Sequence, residues 1–241
     1  MKAFLLAAGK GTRLRPITDQ IPKCLVPIQG KPLLKIWLEH LARYGVEEVL
    51  INTHHLADQI RAFVQNNRDG MPQIRLAYEP VLLGSGGTVR ANRDFVDQDE
   101  DFFIIYADNL TDLQLSDMLR YHRQQGGILT MGLFESATPE ACGIAEIDPK
   151  GKDRGLIVSF EEKPKKPKGS LANAGIYVAS QQIFDFFPTE QIRTASPLDF
   201  GHHILPKLVG YMYGYVLDSF LMDIGTFENY ELAQRIWSNR A

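Results

Sequence analysis

The chain has 241 residues, a formal net charge of −3, 44% hydrophobic residues and 23% charged residues. This composition is typical of a globular protein with one large α/β domain or two small ones, and it does not favour a general nucleic-acid or membrane surface. The sequence contains no run of about eighteen apolar residues, the length needed to span a membrane. The N-terminus lacks a signal-peptide pattern, and Cys24 and Cys142 are too few for a disulfide scaffold. We therefore expect a cytoplasmic protein with reduced thiols and with neither nucleic acid nor membrane as a partner.

The first part of the chain alternates strand-like and helix-like patterns. Short apolar runs predict strands over 3–8, 46–52, 74–78, 102–106 and 128–134. Helical spacing of apolar residues predicts helices over 33–44, 57–65, 88–95 and 113–125. This alternation is typical of a parallel, doubly wound sheet. Such sheets bind ligands at the carboxyl ends of their strands, where the turn at Gly9, Glu79 and Asp108 should then lie together.

After about residue 140 strand patterns follow one another without long helices between them. Strands are predicted over 143–147, 156–162, 172–179 and 211–217, short helices over 183–187 and 198–208, and a closing helix over 226–237. We expect antiparallel or mixed strands here, and one domain over 1–241 with halves of about 1–140 and 141–241. Alternating tyrosines at 211, 213 and 215 suggest sheet packing or a subunit contact, which would make the protein a homo-oligomer.

The turn after the first strand has the composition of a polyphosphate-binding loop. Gly9 and Gly11 let the backbone turn sharply and expose its N–H groups. Four cations follow within fourteen residues, namely Lys10, Arg13, Arg15 and Lys23. A dinucleotide-binding fingerprint needs a third glycine where this chain has Leu14, and the P-loop string is absent, so a Rossmann dehydrogenase is disfavoured. A tight turn without a ligand is the plain alternative.

Two aspartates follow apolar runs at distant points of the chain, Asp108 after 102–107 and Asp223 after 219–222. Two such carboxylates could hold one Mg²⁺, which takes few protein ligands and completes its shell with phosphate oxygens and water. Each aspartate alone could equally be a turn or cap residue.

The string from Gly9 to Thr18, Gly-x-Gly-Thr-Arg-Leu-Arg-Pro-x-Thr, followed by Pro22-Lys23, resembles the signature of the nucleotide-sugar pyrophosphorylases. These nucleotidyltransferases join a nucleoside triphosphate to a sugar 1-phosphate. Further strings are similar to the nucleobase loop, the sugar-binding segments and the metal motif of that family, namely Gly84-Ser-Gly-Gly-Thr88, Glu162-Lys-Pro164, Asn173-Ala-Gly175 and Asp223-Ile-Gly-Thr226. The chain departs from the family at Ala107, where glycine more often precedes the aspartate.

The resemblance implies a Rossmann-like α/β/α sandwich with a mixed, mainly parallel central sheet, and a Mg²⁺-dependent transfer that releases pyrophosphate. It assigns catalytic roles to Arg13, Lys23 and Asp108, and metal binding to Asp108 and Asp223. It assigns nucleotide binding to Leu6, Ala8, Gly9, Gly11, Thr12, Arg13, Glu79 and Gly84. It assigns sugar-phosphate binding to Gly143, Glu162, Lys163 and Asn173. The half of about 1–140 would then bind the nucleotide, and the half of about 141–241 would bind the sugar.

Glu79 stands at the position that reads the nucleobase in the family. A carboxylate accepts from the two adjacent donors of guanine, whereas an amide suits uracil or thymine better. The sequence therefore favours GTP with a mannose- or heptose-type sugar phosphate. UTP or dTTP with glucose or N-acetylmuramate 1-phosphate, an acceptor such as phosphocholine, and a non-catalytic nucleotide-sugar sensor are the alternatives.

Overall fold

The computed structural model describes residues 1–97, 101–148, 155–188 and 197–237. Within these ranges no helix combines the length and the apolar character needed to cross a membrane. The chain forms two compact units, each assembled from separate segments. Unit 1 comprises Met1–Leu82, Ile105–Leu113 and Ser219–Ala241, and unit 2 comprises Leu83–Ile104 and Gln114–Asp218.

The strands in chain order are β1 Lys2–Leu6, β2 Pro27–Ile28, β3 Lys31–Pro32, β4 Glu48–Thr53, β5 Gln73–Tyr78, β6 Asp101–Tyr106, β7 Asn109–Thr111, β8 Leu129–Glu135, β9 Gly143–Ile147, β10 Ile157–Glu162, β11 Leu171–Ser180, β12 Met212–Val216 and β13 Leu221–Asp223. The α-helices are α1 Ile17–Gln20, α2 Leu33–Arg43, α3 Ala57–Asn66, α4 Ser85–Ala91, α5 Leu115–Gln125, α6 Phe200–His203 and α7 Phe227–Ile236. Short 3₁₀ turns occupy Thr12–Leu14, Lys23–Leu25, Arg93–Phe95, Pro139–Ala141, Gln181–Phe186 and Leu205–Leu208.

Unit 1 is built on parallel strands, as the alternating pattern predicted. β4 lies between β1 and β5 and pairs in parallel with both. The neighbouring β1 residues Phe4 and Leu5 are both fully buried. Strands of a parallel sheet are buried on both faces, which explains the continuous apolar run in the sequence. In α2 the predicted apolar face is also buried, with Trp37 2% exposed. The carboxyl ends of β1, β4 and β5 therefore meet at one edge of this unit.

A small antiparallel ladder in unit 1 was not predicted from the sequence. β7 pairs with β13, and Asn109 lies opposite Asp223. The ladder joins segments more than one hundred residues apart, and each strand has only three residues. Strands this short carry no periodicity, so only the folded chain reveals them.

Unit 2 contains the mixed strands expected after residue 140. β11 is antiparallel to β8 and β9, β10 is antiparallel to β9, and β12 is parallel to β8. Tyr213 lies on β12 and packs on Gly127, where an added Cβ would lie 2.5 Å from the ring. The predicted Rossmann-like α/β class, with parallel strands followed by mixed ones, is confirmed.

Two predicted helices differ in extent from those observed. The helix predicted over 88–95 begins at Ser85, directly after Gly84, and ends in a 3₁₀ turn. The helix predicted over 198–208 is split into α6 and the turn Leu205–Leu208. Pro206 accounts for the break, because proline supplies no backbone N–H to continue a helix.

Candidate active site

A hydrogen bond from Thr18 stabilises the glycine turn after β1. Gly11 has φ +63°, a left-handed conformation that glycine adopts without strain. Thr18 Oγ1 donates to the Gly11 carbonyl at 2.7 Å, and Leu14 N–H donates to the same carbonyl at 2.9 Å. A Cβ on Gly11 would lie 2.8 Å from Thr18 Cγ2 and 3.2 Å from Lys23 Cβ. Both its conformation and its surroundings therefore require glycine here.

The Lys23 ammonium lies between two carboxylates. Its Nζ is 2.5 Å from Asp108 Oδ2 and 3.5 Å from Asp223 Oδ1. The Lys23 side chain is only 10% exposed, whereas those of Asp108 and Asp223 are 38% and 43% exposed. A cation this deeply buried is stable only when it is paired and hydrogen-bonded, and the two aspartates provide that pairing.

The β7–β13 ladder brings the two aspartates together. Ile224 N–H donates to the Asp108 carbonyl at 2.8 Å, and Asn229 Nδ2 donates to the Asp223 carbonyl at 2.8 Å. From α2, Trp37 Nε1 donates to the Asn109 carbonyl at 2.6 Å. The backbone on both sides of the ladder is thus fixed by named hydrogen bonds, which preorganises the two carboxylates.

Arg13 reaches the same cluster from the glycine turn. Its Nη2 is 3.4 Å from Asp223 Oδ2, and its side chain is 64% exposed. Gly225 leaves the room for this contact, because a Cβ there would lie 2.6 Å from Arg13 Nη2 and 2.7 Å from both Asp223 carboxylate oxygens. The glycine of the Asp-Ile-Gly-Thr string is therefore explained by space around the ion pair.

Arg13, Lys23 and Asp108 line one cleft of about 200 Å³ in unit 1. Its lining consists of Gly9, Gly11, Thr12, Arg13, Lys23, Asp108 and Gly225. Arg13, Lys23, Asp108 and Asp223, four residues singled out in the sequence, are thus brought together. Thr12 and both glycines lie at the same cleft, whereas Leu6 and Ala8 are buried in and just after β1, at 9% and 6% exposure.

The two carboxylates suit a magnesium ion. They already converge on one cation, the Lys23 ammonium. Among the residues that the structure describes, no group of three or more histidine, cysteine, aspartate or glutamate side chains could hold a metal. A site with two carboxylates leaves most of the coordination shell to phosphate oxygens and water, which is the pattern that Mg²⁺ prefers.

Glu79 lies at the same edge of unit 1 but is 3% exposed. Its Oε1 accepts from Asn52 Nδ2 at 2.9 Å, and Asn52 Oδ1 accepts from Ala7 N–H at 2.7 Å. The His54 ring contacts the Glu79 carbonyl at 2.8 Å. The role of Glu79 in reading a nucleobase stays a prediction.

In unit 2, Gly143, Glu162 and Lys163 lie together. Glu162 pairs with Gly143 across β10 and β9. A Cβ at Gly143 or at Gly201 would lie 2.5 or 2.6 Å from Glu162 Oε2, so two glycines make room for this carboxylate. Burial raises the pKa of Glu162, the Lys163 ammonium 3.9 Å away counteracts it, and Asp199 raises the pKa further.

Asn173 is placed beside this group by the strands. Ala172 on β11 pairs with Ile144 on β9, which puts Asn173 next to Gly143. Asn173 Nδ2 donates to the Tyr177 hydroxyl at 2.6 Å, and its Oδ1 accepts from Gly175 N–H at 2.9 Å. The Asn-Ala-Gly string therefore lies at an irregularity in the register of β11 with β8, and its contact with a sugar stays a prediction.

The Gly84 loop in unit 2 packs closely on the backbone of Leu198. Leu198 N–H donates to the Leu83 carbonyl at 2.8 Å, and Gly87 N–H donates to the Leu198 carbonyl at 3.0 Å. Gly84 has φ +81°, and a Cβ on it would lie 2.6 Å from the Leu198 carbonyl oxygen. Packing alone thus explains this glycine, and nucleotide binding by Gly84 stays a prediction.

Sequence reasoning missed Asn52 and Asn229. Asn52 ends the apolar run of β4 in the way that Glu79 follows β5, so the same strand-end signal could have identified it. Asn229 stands three residues after Thr226, whose hydroxyl accepts from the Asn229 N–H at 3.2 Å. A cap followed by an amide in the first turn of a helix is a weaker signal.

Comparison with known proteins agrees with the sequence motifs. The chain matches the description "Nucleotidyl transferase" over residues 2–239, which is nearly its whole length. The chain belongs to the nucleotidyl transferase family. The expected kinship with sugar-1-phosphate nucleotidyltransferases is confirmed by its relatives.

Two curated relatives are named for the transfer of different nucleotides. A UTP–glucose-1-phosphate uridylyltransferase from Synechocystis sp. is 32% identical over 254 residues, which cover 98% of this chain and 63% of that protein. The catalytic subunit beta of mannose-1-phosphate guanylyltransferase from Danio rerio is 33% identical over 232 residues, which cover 93% of this chain and 61% of that protein. The chain thus spans less than two thirds of the length of either relative.

One solved structure matches this chain over nearly the full length of both proteins. The crystal structure of HddC from Yersinia pseudotuberculosis, complexed with GMP-PN, has a TM-score of 0.79 and 25% identity. The match covers 98% of this chain and 99% of the HddC chain.

Proposed function

We propose that this protein transfers a nucleotidyl group from a nucleoside triphosphate to a sugar 1-phosphate, giving an NDP-sugar and pyrophosphate. The observation that supports it best is the convergence of Arg13, Lys23 and Asp108 with a glycine turn in one cleft, where Asp223 pairs with both Arg13 and Lys23. Names of relatives with this activity support it as well. The protein would act in the cytoplasm as an enzyme of nucleotide-sugar synthesis.

The chemistry needs positioning and charge neutralisation more than a covalent catalyst. A phosphate oxygen of the sugar 1-phosphate attacks the α-phosphorus, the bond to the β-phosphate breaks, and pyrophosphate leaves with the electron pair. The attacking oxygen is already ionised, so no side chain has to remove a proton from it. Exposed N–H groups of the turn at Gly9–Gly11 would bind the triphosphate, and a residue that stabilises developing charge is worth on the order of 10²–10³ in turnover.

Each charged or polar residue of the candidate site would have its own role in charge neutralisation or substrate binding. Arg13, which is 64% exposed at the cleft, would neutralise the departing pyrophosphate. Lys23 would contact the reacting phosphates, and in unit 2 Lys163 would bind the sugar phosphate while Glu162 and Asn173 bind sugar hydroxyls. A magnesium ion held by Asp108 and Asp223 would supply charge neutralisation at the α-phosphate.

Three observations support GTP as the nucleotide. Glu79 stands at the position that reads the nucleobase in the resemblance, and a carboxylate can accept from the two adjacent donors of guanine. The relative from Danio rerio is named for a guanylyl transfer to mannose 1-phosphate. HddC was solved with the guanine nucleotide GMP-PN. We therefore favour GTP with a mannose- or heptose-type sugar phosphate.

A UTP-dependent transfer to glucose 1-phosphate is the second candidate. The relative from Synechocystis sp. favours it, because it carries that activity in its name and matches 98% of this chain. A non-catalytic sensor is disfavoured, since it would not need two metal-binding carboxylates beside Arg13 and Lys23.

One assay tests these proposals together. Each of four nucleoside triphosphates is combined with mannose, heptose, glucose and N-acetylmuramate 1-phosphates in the presence of Mg²⁺, and pyrophosphate release is recorded. We expect the fastest release with GTP, and a loss of on the order of 10²–10³ in the variant Asp108→Asn. Asp58→Asn is the matched control, because Asp58 forms an exposed surface pair with Arg61. Failure of every pair to release pyrophosphate, with nucleotide binding retained, would favour the sensor.

A further inference from the structure

The buried carbonyl of Thr18 does not receive the hydrogen bond that a helix normally provides. Thr18 belongs to α1, shortly after the glycine turn, and it is 1% exposed. In a continued helix its carbonyl would accept from the N–H of residue 22, but residue 22 is a proline, which has no N–H. The Ile21 N–H donates to the Ile17 carbonyl instead, at 3.2 Å. A buried carbonyl of this kind requires a donor from another segment of the chain.

His55 supplies this donor. Its Nε2 lies 2.9 Å from the Thr18 carbonyl oxygen, and because that oxygen can only accept, Nε2 must carry the hydrogen. His55 lies in the loop between β4 and α3. A second contact joins the same part of the chain to α1, since Gln59 Nε2 on α3 donates to the Gln20 carbonyl at 2.8 Å. Gln59 and Gln20 are both exposed, so water can replace their contact, whereas Thr18 is shielded from water.

Thr18 connects His55 with the glycine turn. Its hydroxyl donates to the Gly11 carbonyl at 2.7 Å. A Cβ on Gly11 would lie 2.8 Å from Thr18 Cγ2 and 3.2 Å from Lys23 Cβ, so the three residues are closely packed. Gly11 and Lys23 both line the cleft. Two successive hydrogen bonds, from His55 to Thr18 and from Thr18 to Gly11, therefore connect the loop after β4 with the cleft.

The residue after His55 has an unfavourable backbone conformation. Leu56 has φ 52° and ψ 37°, in the left-handed region that a leucine rarely adopts. Such a conformation persists where neighbouring contacts fix the backbone. The two preceding histidines provide such contacts, since His54 Nδ1 lies 2.8 Å from the Glu79 carbonyl oxygen and His55 contacts Thr18. The loop is thus held in one arrangement, which a residue that positions a site requires.

We propose that His55 is a positioning residue for triphosphate binding, which acts through Thr18 on the glycine turn. The proposal rests on the proposed function, in which N–H groups of the turn at Gly9–Gly11 bind the triphosphate. Without the donor on His55, the buried Thr18 carbonyl is unpaired, and α1 has to shift to bring it to water. The Thr18 hydroxyl then moves away from the Gly11 carbonyl, so the turn loses one of the hydrogen bonds that fix its conformation.

The experiment separates triphosphate binding from sugar-phosphate binding in the full chain. Pyrophosphate release gives kcat and the KM of each substrate, and titration calorimetry gives the Kd for GTP, or for UTP if the wild type prefers it. We expect His55→Leu to raise KM and Kd for the triphosphate about tenfold, the effect of one unpaired buried acceptor. The KM for the sugar 1-phosphate should stay unchanged. A merely structural residue would lower the active fraction, and hence kcat, without changing the KM of one substrate.

Rescue and control variants of the same contacts sharpen this test. A glutamine carries its amide N–H about as far from the backbone as histidine carries Nε2, whereas an asparagine is one methylene shorter. We therefore expect His55→Gln to recover most of the triphosphate affinity and His55→Asn to behave like His55→Leu. Thr18→Val removes the hydroxyl and should raise the same KM, and its combination with His55→Leu should add little to either variant alone. Gln59→Met is the matched control, because its contact with Gln20 is exposed.

Two results would overturn the inference and leave the proposed function intact. One is a triphosphate KM and Kd in Thr18→Val equal to those of wild type, which is decisive even if the His55 variants fail to fold. The other is a loss of triphosphate affinity in His55→Gln as large as in His55→Leu. If the wild type binds the triphosphate but releases no pyrophosphate, the proposed function fails, and the calorimetric comparison still decides the role of His55. A wild type that binds no nucleoside triphosphate overturns both.

Discussion

Lys23 Nζ lies 2.5 Å from Asp108 Oδ2, and the same ammonium lies 3.5 Å from Asp223. An internal cation therefore stands where two carboxylates converge. Carboxylates this close to each other are stable because a positive charge neutralises them. If a divalent ion binds to both carboxylates, it meets this ammonium, so we expect Lys23 and such an ion to compete in the protein without nucleotide.

The first prediction concerns this competition. In Lys23→Met we expect turnover to fall by on the order of 10²–10³, because a cation is lost beside the reacting phosphates. We also expect the nucleotide-free variant to bind Mn²⁺ more tightly than the wild type, since the competing ammonium is gone. Titration calorimetry with Mn²⁺ measures this affinity. Lys31→Met is the control, because Lys31 pairs with Glu39 on the surface. An unchanged or weaker affinity for Mn²⁺ would contradict the competition.

The second prediction concerns the space around the Arg13–Asp223 pair. In Gly225→Ala the new methyl group would lie 2.6 Å from Arg13 Nη2 and 2.7 Å from Asp223 Oδ1, so both side chains must move. We expect turnover to fall by about tenfold or more, the effect of misplaced groups in a preorganised site, with little change in melting temperature. Gly169→Ala serves as the control, since a Cβ there has no described atom within 4 Å. Full activity in Gly225→Ala would show that the pair tolerates displacement.

The third prediction concerns the buried carboxylate Glu162. Burial raises its pKa above the ordinary value of 4.5, so the folded state holds a proton that the unfolded state releases. Stability from this site is therefore present below pH 4.5 and is lost as pH rises through the folded pKa. We expect Glu162→Gln, which stays neutral, to unfold at higher urea concentration than wild type at pH 8 but to lose this advantage near pH 4. Sugar-phosphate affinity should fall in the same variant. A urea midpoint at pH 8 equal to that of wild type would refute the assignment.

The fourth prediction concerns a buried histidine in unit 2. His122 Nδ1 contacts Thr130 Oγ1 at 2.9 Å, and its Nε2 lies 3.4 Å from Asp101. Burial lowers the pKa of His122 below 6.5, while Asp101 opposes this shift. The unfolded chain takes up a proton first, so stability is present above pH 6.5 and decreases as pH falls from there through the folded pKa.

Urea unfolding at pH 7.5 and at pH 5.5 checks this. We expect the free energy of unfolding to fall between these values in wild type, and to fall less in His122→Gln. The exposed His203 provides the control variant His203→Gln. An identical pH dependence in wild type and His122→Gln would rule out His122 as a source of the effect. His40, whose pKa is also lowered by burial, would then be examined in the same way.

Helices with a clear periodicity of apolar residues were predictable from the sequence. α2 and α3 were expected over 33–44 and 57–65 and are found at Leu33–Arg43 and Ala57–Asn66. β2, β3, β7 and β13 were missed, because strands of two or three residues form only where a partner strand is supplied by the fold. Local sequence does not encode that partner.

The charged part of the candidate site was also predictable, and its supporting contacts were not. Lys23, Asp108 and Asp223 were singled out because charged residues follow apolar strands or a glycine turn. The closeness of Leu198 to Gly84 joins residues more than one hundred positions apart, so the sequence alone did not predict this packing. The dual hydrogen bonding of Asn52 likewise requires the order of β1, β4 and β5.

The β7–β13 ladder has a consequence for how the protein is made. Asp108 leaves the ribosome long before Asp223, and the two carboxylates become neighbours only when residues 221–223 pair with residues 109–111. If the proposed function holds, we expect a nascent chain to consume no nucleotide until this late segment has been translated and has docked. Activity would then arise in one step once that segment has emerged, rather than gradually as the polypeptide grows.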